Sequence, residues 1–327
     1  MTVTSPNSSY DDIFTTTLEK RSGKLADNVT KGNILLKTLS EKDKIRTFDG
    51  GSKILEELEY GEGDMVWYAG YDSITYSPKQ LFTAAEYNMK QCAVPVAISG
   101  EEELKNSGAE AIIKLYAKRI ENAQKTLKNK IGAAIYGDGS ASSGKSITGL
   151  KALVADDPTS GTVGGINRAT ATNAFWRNKT LSASLSASNL VDKMNKLYMD
   201  CTRGSDHPDL IVTGGTIFNL YETYCQSKMQ FTDPKMADAG FNALRYKGVF
   251  VVCDNGNCPE NKMYMLNTDY IYFRPHKDRN FRVIGGDRMA INQDAKYKLI
   301  GWAGNMTMSN AALQGVLIDT NTSTSSS

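Results

Sequence analysis

The sequence has no long hydrophobic run: nowhere in its 327 residues do the roughly 20 consecutive apolar residues of a membrane span occur. Its N-terminus lacks a basic segment followed by an apolar run, so we expect no secretory signal. Excess charge is also small. The formal net charge of +2 gives no global electrostatic signal for a nucleic acid or a membrane as partner. These absences favour a globular protein without membrane contact.

Histidine and cysteine are scarce, with two and five residues respectively. Cys253 and Cys258 have four residues between them and make a poor zinc site, and the odd, scattered cysteines suit reduced thiols in a cytoplasm. His207 and His276 are each either a general base or a solvated loop residue. Because no nucleophile elbow or paired carboxylates accompany them, we predict no catalytic residues, no metal and no cofactor.

One motif points to an enzyme. Residues 139–146, GSASSGKS, match the phosphate-binding P-loop pattern. That chemistry needs a buried strand before the loop and a helix after it, so that amide groups face the phosphates. Here the predicted element before the loop is a helix, and Gly149 follows soon after. A P-loop nucleotide-binding enzyme therefore remains the alternative, and a glycine-rich connector is favoured.

The stretch from Ser99 to Gly137 predicts a short helical turn and then one long helix. Ser99 with Glu102, and Ser107 with Glu110, have the spacing of capping boxes. From Gly108 to Tyr136 the helix would be about 43 Å long. Its predicted apolar stripe consists of Ile112, Tyr116, Ile120, Ala123, Leu127 and Ile131, and the opposite side carries Lys114, Lys118, Lys125 and Lys128.

Residues 46–78 predict a β-hairpin that turns at Gly61-Glu62-Gly63. An isolated hairpin is only marginally stable in water, so this one needs a partner surface. Its acids are Glu56, Glu57, Glu59, Glu62 and Asp64, and its second run brings Trp67, Tyr68 and Tyr71.

Two segments offer cations. The N-terminal stretch from Lys20 to Arg46 looks like an arm that lies on another surface. The second is a basic patch, which is either a solvated loop or a dock for an acidic protein or phosphate. It contains Arg274, His276, Lys277, Arg279 and Arg282.

Elsewhere, Leu81–Ser99 predicts extended structure, and residues 145–295 alternate helices and strands like a mixed α/β unit. Tyr297–Ile318 predicts strands that return to pair with Leu81–Ser99.

This order of pieces resembles the major capsid proteins of tailed bacteriophages, which have the HK97 fold. The resemblance also extends to whole segments between about residues 46 and 318. These are 48–51 (FDGG), 58–62 (LEYGE), 67–71 (WYAGY), 81–87 (LFTAAEY), 98–100 (ISG), 150–158 (LKALVADDP), 174–178 (AFWRN), 208–211 (PDLI), 267–270 (NTDY), 273–279 (FRPHKDR) and 299–304 (LIGWAG).

The resemblance implies an α+β fold and a structural protein of the virion, assembled in the host bacterial cytoplasm into hexamers and pentamers of an icosahedral shell around double-stranded DNA. The implied partners are its own copies, a separate scaffolding protein (since only about 45 residues precede the hairpin), a portal and decoration proteins. The implied domains are an N-terminal arm (1–45), a hairpin or E-loop (46–78), a P-domain with a spine helix and β-sheet (79–138 and 296–320), a mixed α/β A-domain (139–295) and a disordered tail (321–327).

In that architecture the hairpin projects away from both basic segments of its own subunit. We therefore predict that it contacts a neighbouring copy through charge complementarity. The candidate inter-subunit contacts are Glu56, Glu57, Glu59, Glu62, Asp64, Trp67, Tyr71, Arg274, Lys277, Arg279 and Arg282.

Overall fold

The structure is a computed structural model that describes residues 33–74, 79–105, 109–227, 243–289 and 294–321. Two β-sheets and one long helix organise it. No helix in these ranges is both long and apolar enough to cross a membrane. The predicted tail falls, except for Asn321, outside these ranges, as do residues 1–32 of the predicted arm.

The predicted turn and long helix are confirmed. They are α2 (Gly100–Lys105) and α3 (Ala109–Ile135). At the start of α2, the Ser99 hydroxyl accepts from the Glu102 amide at 3.3 Å, and the Glu102 carboxylate accepts from the Ser99 amide at 3.2 Å. This reciprocal pair is the capping box that the sequence predicts. Ser107, which belongs to the second predicted capping box, lies outside the described residues.

The apolar stripe of α3 is buried wherever its side chains are described. Ile120, Ala123, Leu127 and Ile131 are at most 5% exposed, and Lys125 on the other side is exposed. The helix packs against β3 (Lys90–Ser99). The periodicity therefore identified the buried side of α3 correctly. The side chains of Ile112, Lys114, Tyr116, Lys118 and Lys128 are outside the described set.

One sheet is built on β13 (Ala295–Met308). It pairs antiparallel with β3 along one edge, and with β11 (Ile271–Pro275) and β12 (Arg282–Met289) along the other. The predicted return of the C-terminal strands to Leu81–Ser99 is confirmed for β13.

The other sheet has six strands in the order β6-β14-β10-β7-β9-β8, with parallel pairs β6–β14 and β7–β9. Its strands are β6 (Lys179–Ala183), β7 (Leu210–Thr213), β8 (Ala243–Tyr246), β9 (Val249–Cys253), β10 (Lys262–Leu266) and β14 (Gly315–Asp319). The prediction that β14 would also pair with Leu81–Ser99 is wrong. The chain turns after β13 and places β14 between β6 and β10, where Val316 and Leu317 are completely buried.

Short elements complete the fold. They are helices α4 (Leu150–Leu153), α5 (Leu190–Asp200) and α6 (Gly215–Ser227), the small hairpin β4 (Thr162–Val163) and β5 (Ile166–Asn167), and 3₁₀ turns at Ala171–Trp176, Thr268–Tyr270 and Lys277–Arg279.

Arg168, which follows β5, is fully buried and donates to the carbonyl oxygens of Trp176, Ala152 and Leu153 at 2.6–3.1 Å. Burial lowers the pKa of this guanidinium to about 10.

The part of the predicted arm that the structure describes belongs to the subunit's own core. Helix α1 (Ile34–Glu41) buries Ile34, Leu35, Leu36 and Leu39, which are at most 2% exposed. Residues 44–48 then run parallel to β11, where Arg46 donates its amide to the Phe273 carbonyl at 3.1 Å. The expectation that this stretch lies on another surface is therefore corrected.

The hairpin exists, but its predicted turn and second strand are wrong. Strand β1 (Lys53–Glu59) pairs antiparallel with β2 (Phe82–Asn88), from Lys53 opposite Asn88 to Glu59 opposite Phe82. The described parts of residues 60–81, including the aromatic run, contain no strand. The buried side of β1 needs a partner with buried residues at every second position, which Ala85 and Tyr87 supply and the run after Gly63 does not.

Candidate subunit interface

The base of the hairpin is fixed to its own subunit. Ile54 and Leu58 of β1 and Ala85 and Tyr87 of β2 are at most 5% exposed. The Tyr87 hydroxyl donates to the Met308 carbonyl at 3.1 Å, and burial raises its pKa above the ordinary 10.0. At Gly164, whose φ is +59°, a Cβ atom would lie 2.8 Å from that of Ala85, so β4–β5 approaches β2 closely.

Glu56 also points inward, although the sequence predicts it as a contact between subunits. It is only 6% exposed, and its carboxylate accepts from Arg274 at 2.7 and 2.9 Å and from the Thr307 hydroxyl at 2.7 Å. The predictions for Glu56 and Arg274 are therefore wrong: these two residues neutralise each other within one subunit. The reason is the strand alternation, which turns Ile54, Glu56 and Leu58 to the same buried side.

The other predicted acids remain on the surface. Glu57, Glu59 and Glu62 are exposed, and the described residues supply none of the three with an ion-pair partner. Asp64 forms an ion pair with Lys79 from the far end of the connection. These acids therefore form a line of negative charge along the outer side of β1 and into the connection between β1 and β2. Its role in contacts between copies stays a prediction.

The connection also exposes large apolar side chains, including both predicted aromatic contacts. Trp67 is 87% exposed and Tyr71 is fully exposed. Their apolar neighbours are exposed too: Met65, Val66, Tyr68 and Ile74. A contiguous apolar segment of this kind is typical of a surface that another protein covers.

Two features escaped the sequence reasoning. Tyr60 stacks on Phe175 with ring centroids 4.8 Å apart, so the connection leaves the body of the subunit beside the Ala171–Trp176 turn. Leu55 and Phe82 are about 60% exposed on the outer side of β1–β2. Strict alternation along β1 would have placed Leu55 opposite to Ile54, but no local signal reveals the Tyr60–Phe175 contact.

The remaining cations of the basic patch are exposed but not isolated. Lys277 lies 3.7 Å from Asp49, and Arg279 donates to the Gln91 side chain at 2.8 Å. Arg282 is exposed at the start of β12. His276 accepts from the Asp278 amide and so caps the 3₁₀ turn of this patch. The patch is a surface of net positive charge in and beside the β11–β12 connection, and its role in assembly stays a prediction.

The P-loop look-alike has a different geometry from a phosphate cradle. Helix α3 leads into it, and Ser142 and Ser143 are left-handed, with φ near +56°. Its amides are used internally: Ser140 donates to Asp138 at 2.9 Å, Gly144 to Ser140 at 2.9 Å and Ser146 to Ala141 at 3.2 Å. The hydroxyl and amide of Ser140 both donate to the Asp138 carboxylate and lower its pKa to about 2, so these two donors are already engaged.

In the part of the chain that the structure describes, His207 and His276 contact backbone groups and aromatic rings. The His207 ring contacts the Pro208 carbonyl and stacks beside Tyr198. Among the described residues, no three histidine, cysteine or acidic side chains come together as metal ligands.

Comparison with known proteins reveals similarity in structure and not in sequence. No protein-family model matches the chain, and no curated protein does. The solved capsid of cyanophage A-1(L) matches at 16% identity with a TM-score of 0.65, over 85% of this chain and 90% of that one. The native GTA particle capsid matches at 11% identity and 0.54, over 86% and 90%. The SrpI encapsulin of Synechococcus elongatus PCC 7942 matches at 9% identity and 0.51, over 85% and 86%. The chain therefore has the HK97-like fold of tailed-phage major capsid proteins, a mixed α/β fold that gene transfer particles and encapsulins share.

Proposed function

We propose that this chain is the major capsid protein of a tailed bacteriophage. Its copies assemble into hexamers and pentamers of an icosahedral head that encloses double-stranded DNA. The observation that carries the proposal is the match to a phage capsid subunit at a TM-score of 0.65 over nine tenths of that subunit. It is a structural protein and not an enzyme, which agrees with the internally bonded loop at residues 139–146.

Within this function, α3 serves as the spine helix of a P-domain, the six-stranded sheet forms the centre of an A-domain, and β1–β2 with its connection serves as the E-loop. The exposed aromatic side chains support the E-loop assignment, because Trp67 and Tyr71 are hydrophobic anchors that the described residues leave uncovered. Contacts between unlike surfaces of successive copies generate rings, which is the arrangement that capsomeres need.

The acidic edge of the E-loop supplies specificity in this scheme. Glu57, Glu59 and Glu62 meet cations of a neighbouring copy, and such contacts steer the encounter more than they add affinity. Partners beyond the chain itself are a separate scaffolding protein, a portal, decoration proteins and the packaged DNA, which it contacts weakly and without sequence preference. The site of action is the virion, after assembly in the bacterial cytoplasm.

The test is electron microscopy of the purified chain, alone and with nucleic acid, together with the measurement of bound ATP. Closed icosahedral shells support the proposal. A monodisperse monomer that binds ATP with micromolar affinity, together with a Lys145→Ala variant that does not bind ATP, would instead support the P-loop alternative. Shells that form on a protein cargo and exclude DNA would point to the encapsulin branch of the fold.

A further inference from the structure

The turn between β9 and β10 carries an asparagine followed by a glycine. Residues 253–258 read CDNGNC, and in the whole sequence asparagine precedes glycine only here, at Asn255 and Gly256. Because glycine has no Cβ atom, its amide nitrogen is the least hindered one that can follow an asparagine. This pair is therefore the place in the chain where a backbone nitrogen can most easily attack an asparagine side chain.

The structure leaves both reacting groups accessible. Asn255 and Gly256 are exposed, and Gly256 has a φ of +90° with nothing within 4 Å of the position that a Cβ atom would occupy. Among the residues that the structure describes, no group accepts a hydrogen bond from the Gly256 amide and none bonds to the Asn255 side chain. Neither the nitrogen nor the side-chain amide has to give up a contact within the subunit before it can react.

Asn257, in the same turn, is a natural control. Its Nδ2 atom donates to Asp254 Oδ1 at 2.9 Å, and the amide of the following residue, Cys258, donates to the Asp254 carbonyl at 3.0 Å. The same reaction at Asn257 would break both hydrogen bonds and would bring the nitrogen of a buried, bulkier residue to the side chain. The structure therefore favours reaction at Asn255 and protects Asn257.

We propose that Asn255 is a site of spontaneous deamidation, and that the reaction loosens the turn from helix α3. The Gly256 nitrogen attacks Asn255 Cγ. A new N–C bond forms, the Cγ–Nδ2 bond breaks, and ammonia leaves with the proton of the Gly256 amide. Water then opens the cyclic imide at either carbonyl, which produces aspartate or isoaspartate. Both products carry a new carboxylate, and isoaspartate also adds one carbon atom to the main chain.

The turn holds a buried contact with the end of α3. Asp254 is 7% exposed, and its carboxylate accepts from the Tyr136 hydroxyl at 2.7 Å. The new carboxylate would also stand near Glu260: Asn255 Oδ1 and Glu260 Oε2 lie 3.7 and 3.1 Å from the position that a Cβ atom of Gly215 would occupy. Repulsion between these acids and the longer main chain both disturb the turn that positions Asp254. The inference goes beyond the proposed function and does not depend on shell formation.

The test is peptide mapping of the full chain before and after incubation at mildly alkaline pH. Trypsin cuts after Lys247 and Lys262, so one peptide, residues 248–262, contains Asn255, Asn257 and Asn261. We expect the mass gain of deamidation at Asn255 alone, at a rate that rises with hydroxide concentration. An unchanged Asn255, or equal conversion at Asn257, would overturn the proposal.

Urea unfolding of the unassembled subunit tests the consequence for α3. The incubated chain should unfold at a lower urea concentration than the fresh chain. Asn255→Gln should show no such change, because the larger ring that glutamine would have to close forms far more slowly. In Tyr136→Phe, which lacks the hydrogen bond to Asp254, incubation should lower the midpoint by less than in the parent chain. An equal decrease in Asn255→Gln, or an equal decrease in Tyr136→Phe, would overturn the link between the turn and α3.

Discussion

The two halves of the hairpin, its base and the connection beyond it, differ in almost every respect. The base buries Ile54, Leu58 and Tyr87 and encloses the Glu56–Arg274 pair. The connection exposes Trp67, Tyr71 and Glu62 to solvent. The interactions of the inner half therefore stabilise the subunit, whereas the described residues leave the side chains of the outer half uncovered. Mutations in the two halves should consequently separate folding from assembly.

The largest effect on folding is expected for Arg274→Ala. It leaves the Glu56 carboxylate buried without its counter-ion, which should cost about 3–5 kcal/mol of the free energy of unfolding. The measurement is urea unfolding of the assembly-free subunit. Arg282→Ala is the matched control from the same basic patch, and because Arg282 is exposed it should change stability by less than about 0.5 kcal/mol. Equal losses for both variants would contradict the contrast between base and surface.

The opposite result is expected for Trp67→Ala combined with Tyr71→Ala. The unfolding free energy of the subunit should change by less than about 0.5 kcal/mol, since neither side chain is buried in it. Shell formation should fail, because each aromatic anchor of an interface is worth about 2 kcal/mol or more. Analytical ultracentrifugation distinguishes shells from subunits. Full assembly of this double variant would mean that the connection does not carry the interface.

Alkaline pH should lower the free energy of unfolding through buried tyrosines. Burial raises the pKa of Tyr87 above its ordinary 10.0 and that of Tyr246 to about 12. The folded state therefore keeps protons that the unfolded state releases. Stability is intact below pH 10 and falls between pH 10 and 12, by up to about 1.4 kcal/mol per pH unit for each such tyrosine. Unfolding followed against pH should show a shallower slope in Tyr87→Phe, and an unchanged slope would contradict this account.

The smallest effect is expected for Lys145→Ala in the P-loop look-alike. Lys145 is exposed, and its loop is held by Asp138 and by bonds between its own residues. Stability and shell yield should both stay within error of the parent protein. Calorimetric titration with ATP should show no heat of binding in either protein.

Local signals were sufficient for some elements and misleading for others. The stripe of α3 and its capping box depend on residues three and four apart, so the sequence predicted the helix and its buried side. The hairpin turn at Gly61–Gly63 was also a local signal, but strand pairing is decided by which residues share a buried side. The partner of β1 therefore lies beyond the aromatic run, and the partner of Glu56 lies 218 residues away. Burial of a glutamate against so distant an arginine has no signature in either segment.

The same limit explains the C-terminal strands. The alternation after Tyr297 predicted strands correctly, but it could not tell that β14 leaves β13 and enters the other sheet. A mostly buried strand such as β14 has no exposed polar side to reveal its neighbours. The fold class therefore followed from the resemblance to a known family in element order and whole segments, and the site residues that depended on long-range contacts did not.

Under the proposed function, the 14-residue strand β13 has a mechanical consequence for the shell. At about 3.4 Å per residue it is roughly 45 Å long. Hydrogen bonds to β3, β11 and β12 together extend along its whole length. A tension that acts along β13 loads this ladder in shear, so that many hydrogen bonds must yield together. A tension across it would open the bonds one after another. The direction in which neighbouring copies pull on this strand would therefore decide how much internal pressure the shell withstands.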